Sequence, residues 1–147
     1  MTPVSITIRK DFSISLYGFA GVAAREDWAS TGKNLMNHLW AEVRFLQLPN
    51  KGVNIWVYEE GAQLFTGVEL MTPPPAGCPL EGKIISLPRY AYHKHIGPYT
   101  ELKTTYEAAR EEFRKAGIRA RLPYVEIYGH WTEDPSKLET ELLWSIS

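Results

Sequence analysis

The stretch Thr72-Pro-Pro-Pro-Ala-Gly-Cys-Pro-Leu-Glu-Gly82 divides the chain near its middle. Proline removes a backbone donor and fixes φ, and glycine loosens the chain, so this run reads as a connector. The pattern before it recurs after it. Val4, Ile6 and Ile8, then Phe12, Ile14 and Leu16, alternate with polar residues and predict a long or bent strand that Gly18 and Gly21 interrupt. Ser30 or Thr31 can cap a helix running to about Leu46, with Leu35, Met36, Leu39, Trp40 and Val43 on one stripe. Val53 to Glu59 and Leu64 to Met71 read as a hairpin.

After the connector, Lys83 to Leu87 and Tyr90 to Ile96 read as one long strand broken near Pro88. A helix from Tyr99 to Lys115 follows, closed by Gly117, then strands at Leu122–Tyr128 and Thr140–Ser147. Each half is strand, helix, strand, strand. The expected fold is therefore α+β: two β-α-β-β modules related by a pseudo-two-fold, sharing an antiparallel sheet with the helices on one face and a ligand cleft on the other. The 147 residues make one domain, 1–147, with pseudo-repeat halves of about 1–75 and 80–147.

Charge and cysteine content exclude several functions. Sixteen basic residues against seventeen acidic ones give a net charge of -1, without the basic excess that a phosphate backbone attracts, so nucleic acid is not an expected partner. A single cysteine, Cys78, allows neither an internal disulfide nor a CxxC metal site. The N-terminus has no secretory pattern, and no apolar run reaches the roughly 18 residues of a membrane span, so a cytoplasmic location is expected. No phosphate-binding glycine loop, GxSxG or HExxH is present, and no cofactor is expected.

Strand parity points to a site. Val53, Ile55 and Val57 form one face of their strand, and Asn54, Trp56 and Tyr58 the other. In the second half, Val125 and Ile127 oppose Tyr124, Glu126 and Tyr128. Aliphatic faces suit helix packing, which would turn the aromatic faces away from the helices toward a cleft. Glu126 among aromatic rings can neutralise an organic cation with cation–π help, or act as a general base or acid; the alternative is a half-exposed polar strand. Tyr92 is a candidate hydrogen-bond donor to a developing oxyanion. His93 and His95 share a face, but without a third ligand no metal site follows. Glu69 and Glu141 could join Glu126 or be ordinary surface charges. Trp40 is core or a wall of the cleft, whereas Phe45, Tyr106, Phe113 and Trp144 read as core.

The second half carries His95-x-Gly97-x-Tyr99 before a helix, Pro123-x-x-Glu126-x-Tyr128 on a strand and Thr140-Glu141-Leu142 on the last strand. Leu39-Trp40 and Gly67-Val68-Glu69 match in the first half. In this order and spacing the chain resembles the GyrI-like effector-binding domains, as a stand-alone member. The resemblance implies binding of a small lipophilic, aromatic or cationic molecule around the family's pocket glutamate, which falls on Glu126. Trp56, Tyr58, Tyr92, His95, Tyr128 and Trp40 are the expected ligand contacts. Relatives also imply alternatives: hydrolysis of cyclopropane-type electrophiles, for which Glu126 would be the base and a tyrosine such as Tyr92 or Tyr128 the donor, or a protein-interaction role such as gyrase inhibition. The expected assembly is a monomer or homodimer.

Overall fold

A computed structural model describes residues 4–147; the first three residues of the expected domain lie outside the described residues. Six strands and two α-helices follow in the order β1 (Thr7–Val22), α1 (Trp28–Phe45), β2 (Asn54–Glu59), β3 (Gln63–Val68), β4 (Glu81–Ile96), α2 (Leu102–Ala116), β5 (Ala120–Tyr128) and β6 (Glu139–Ile146). The fold is α+β, and the strands close into an antiparallel barrel in the order β1-β3-β2-β5-β6-β4. Two junctions join the halves: β1 with β4, and β2 with β5.

β1 does not stop at Gly18 and Gly21 but pairs with β3 from Tyr17 to Val22. At Gly18 a Cβ would collide with the Thr66–Gly67 backbone, so the glycine permits a close crossing instead of ending the strand. β4 is likewise continuous through Pro88, which lies opposite Asp11, a residue at φ 60. This kink changes which side the residues face. Phe12 and Ile14 pack into the barrel interior, whereas Val4 and Ile6 pack outside it against α2, although one alternation joins them in the sequence. α1 begins at Trp28, two residues before the expected cap, after a short 3₁₀ turn at Arg25–Asp27. Gly117 ends α2 in the left-handed conformation, as expected.

The faces are reversed relative to expectation. Ile55, Val57 and Val125 line the barrel interior with Leu16, Phe65, Ile85, Leu87 and Leu143. The aromatic faces of β2 and β5 lie outside, beneath the helices: Trp56 and Tyr58 pack on Trp28, Leu35 and Met36. A small barrel admits compact side chains in its interior, and branched aliphatic residues fill it well. Large rings with polar tips fit outside, where a helix can roof them and a hydroxyl can reach a partner. Among the described residues, the aromatic faces are therefore not free of helices. Phe45, expected in the core, is 82% exposed at the end of α1, while Phe113 and Trp144 are buried beneath α2.

α1 approaches the sheet most closely at Gly32, which is buried, and where a Cβ would collide with the Trp56 ring. Gly32→Ala should destabilise the fold by about 1–3 kcal/mol despite alanine's better helix propensity, because the buried Trp56 ring would have to shift to admit the methyl group. Urea denaturation will check it; an unchanged or raised midpoint would show that the ring yields.

Candidate functional site

The β2–β5 junction brings the aromatic residues of both halves together. Trp56 lies directly across from Glu126, Asn54 across from Tyr128, and Tyr58 across from Tyr124, all on the outer face. α1 contributes Trp28, whose ring centroid is 4.8 Å from that of Tyr58. The α2 side contributes Tyr106, and Tyr99 meets Tyr128 edge-on at 5.4 Å.

Glu126 is at the centre of this layer and only 3% exposed. Its Oε1 accepts hydrogen bonds from the Tyr58 hydroxyl at 2.6 Å and the Tyr128 hydroxyl at 2.7 Å. Its Oε2 accepts one from the Tyr106 hydroxyl at 2.5 Å. Among the described residues, no Lys, Arg or His forms a salt bridge with it. A buried carboxylate needs compensation, and here three phenols supply it in place of a cation. Burial first, and then the neighbouring Glu126 charge, push the pKa values of Tyr58, Tyr106 and Tyr128 far above the ordinary tyrosine range. The three hydroxyls therefore remain donors at any physiological pH. The arrangement is an anionic point walled by rings, the setting in which a cation gains from both charge and π-face contact.

Trp56, Tyr58 and Tyr128 were expected at this site and the structure brings them together with Glu126. Trp40 stands at its border, with its indole N–H donating to Asn54 at 2.5 Å. Two expected residues are elsewhere. Tyr92 turns to the opposite face of the sheet, where it packs against the barrel interior. There Arg9 stacks 3.6 Å from its ring centroid and Glu141 accepts its hydroxyl at 2.7 Å. Burial, followed by the hydrogen bond to Glu141, pushes Tyr92 up to about 12, with Arg9 opposing. Parity explains the separation: β4 pairs with β6, and Tyr92 pairs with Leu143, an interior residue.

His95 is buried and used structurally. Its Nε2 faces the Pro98 carbonyl at 3.1 Å and its Nδ1 faces the Thr105 hydroxyl at 2.8 Å. Nε2 must donate to the carbonyl, so Nδ1 accepts from threonine. The ring thus ties the start of α2 to β4. His95→Ala should cost about 2 kcal/mol through the two stranded partners, with hydrogen-exchange protection falling first around Leu102–Tyr106; uniform loss across the chain would contradict a local role. Glu69 pairs with Lys51 at 3.1 Å and does not join Glu126. No cluster of three potential metal ligands occurs among the described residues.

Sequence reasoning missed Tyr106, Trp28 and Tyr99. From the sequence, Tyr106 reads only as core. The available signal was its hydroxyl: a tyrosine on a buried stripe needs a partner, and Glu126 is the carboxylate on the face beneath it. A hollow of about 110 Å³ at one mouth of the barrel is lined by Glu59, Gln63, Phe65 and Lys83. Lys83 pairs with Glu59 there at 2.6 Å, and Glu81 also lines the hollow.

Residues 35–147 match the GyrI-like small molecule binding domain. The chain belongs to this family. None of the curated protein sequences matches it significantly. Solved structures share the GyrI-like fold at low identity. The EcmrR C-terminal domain is 15% identical, with a TM-score of 0.76 and 98% of each chain covered. SAV2435, solved bound to tetraphenylphosphonium, is 14% identical with a TM-score of 0.66, covering 97% of this chain and 94% of that one. A hydrolase from Listeria innocua is 12% identical with a TM-score of 0.63, covering all of this chain and 94% of that one. No helix among the described residues is long and apolar enough to cross a membrane.

Proposed function

We propose that this GyrI-like domain binds a lipophilic organic cation at Glu126, with Trp56, Tyr58 and Tyr128 as walls and Trp28, Tyr99 and Tyr106 completing the enclosure. The carrying observation is the buried Glu126 carboxylate, matched by three phenol hydroxyls and by no cation. A guest cation supplies the missing countercharge, and the rings supply its apolar surroundings. The capture of tetraphenylphosphonium by SAV2435, a protein of the same fold, is consistent with this reading. The role is drug or toxin sensing or sequestration in the cytoplasm, by one domain whose halves are related by a pseudo-two-fold. The mirrored strand order β1-β3-β2 and β4-β6-β5 supports that relation.

A hydrolytic reading uses the same carboxylate as a base toward water. The Listeria innocua hydrolase of this fold favours it. Both Glu126 oxygens are already engaged by phenols, however, so a base role requires one of these bonds to open first. Calorimetric titration of tetraphenylphosphonium into the parent protein and the Glu126→Gln variant tests the binding reading. Equal affinities would discard it.

A further inference from the structure

Three buried side-chain polar atoms lack a hydrogen-bond partner among the described residues: Trp56 Nε1, Thr66 Oγ1 and Thr140 Oγ1. All three belong to the outer layer that holds Glu126, and none to the barrel interior. Trp56 lies between Thr66 on one side and Glu126 on the other, in direct cross-strand register with both. Thr140 is across from Tyr128, which donates to Glu126. The concentration of unmatched groups in one layer is unusual, because buried polar groups are nearly always partnered and an unpartnered one costs stability.

Trp56 is the most informative of the three. It is 8% exposed, and its nitrogen is a donor only. A threonine hydroxyl can rotate to find a partner, but an indole N–H is fixed by its ring. The benzo edge of the ring lies against Gly32 of α1, and the ring meets Tyr128 of the Glu126 cluster edge-on at 5.5 Å. The three phenols around Glu126 already spend their hydrogens on the carboxylate. The site thus combines an anion without a countercation with a neighbouring donor that has no acceptor.

We propose that the ligands of this site are organic cations that also carry a hydrogen-bond acceptor, such as a carbonyl, and that Trp56 Nε1–H is the donor that reads it. The inference rests on Glu126 being the seat of the cation. It narrows the ligand class: a cation with only hydrocarbon around its charge satisfies Glu126 and leaves Trp56 unmatched, whereas a cation bearing a carbonyl satisfies both. A site built to pair a polar group discriminates against analogues that lack it.

The test uses two matched cations, (4-benzoylbenzyl)trimethylammonium and (4-benzylbenzyl)trimethylammonium, which differ by a ketone against a methylene. Calorimetry on the full chain should give the ketone an advantage of about five- to tenfold, the range expected of one net hydrogen bond. Trp56→Phe should reduce that ratio to about one, whatever it does to both affinities together. If the phenylalanine variant does not fold, β-(3-benzothienyl)alanine at position 56 keeps the bicyclic ring and replaces only the N–H. Without ligand, that substitution should raise the melting midpoint, because it removes an unmatched donor. Equal affinities of the parent protein for the two cations, or a ketone preference that survives loss of the N–H, would overturn the proposal while leaving the cation reading intact. If neither cation binds, or if both bind equally well to Glu126→Gln, the cation reading itself fails and this inference falls with it.

Discussion

Glu126→Gln should bind tetraphenylphosphonium roughly a hundredfold more weakly than the parent protein and still fold. A positive centre about 5 Å from the carboxylate, at the effective dielectric of about 20 that suits protein sites, gains about 3 kcal/mol. Glutamine keeps the size and an acceptor oxygen but removes that charge. Stability should change little, because two effects oppose each other. The three hydroxyls lose charge-assisted hydrogen bonds, but the protein no longer has to bury an anion of 3% exposure. Calorimetry for affinity and thermal unfolding for stability separate the two. A variant that folds and binds as tightly as the parent would show that the charge has no part in recognition.

Alkali should unfold the protein steeply. Tyr58, Tyr106 and Tyr128 hold their protons more tightly in the folded state than in the unfolded chain, because of burial and the adjacent Glu126 charge. A raised folded pKa contributes stability that is fully present below the unfolded value near pH 10 and is lost as pH rises above it. Above that point the unfolded chain ionises three phenols that the folded chain keeps protonated. Each contributes about 1.4 kcal/mol per pH unit, so together they remove about 4 kcal/mol per unit. Phenolate absorbance from these three should appear together with loss of helical dichroism. Titration of all three in a chain that remains folded would contradict their buried, hydrogen-bonded state.

Much of the site was legible in the sequence, and the errors share a cause. Parity alone placed Trp56, Tyr58, Glu126 and Tyr128 on common faces, because side-chain alternation is a local property of a strand. Which face meets a helix is not local. It depends on barrel closure, which encloses the aliphatic faces of all six strands at once. With the helices placed on the wrong side, Tyr106 could not be linked to Glu126, although both were noted. Tyr92 was misplaced because its face follows from pairing with β6, far along the chain. Gly18 and Pro88 were read as breaks because their usual meaning is local. Here Gly18 serves a close crossing with β3, and Pro88 sits in a kink shared by two strands.

That kink has a further consequence for solubility. Among the described residues, Phe12–Leu16 of β1 and Lys83–Leu87 of β4 pair only with each other, so neither run has a second strand partner. A strand edge without a partner can accept a strand from a second chain. Pro88 offers no N–H to such an intruder, and Asp11 at φ 60 breaks the straight line that an incoming strand would follow. Lys10 and Arg89, across from each other beside the kink, add like charge where a copy of the same ribbon would have to approach. The two residues at the kink thus also disfavour the addition of a strand beside it.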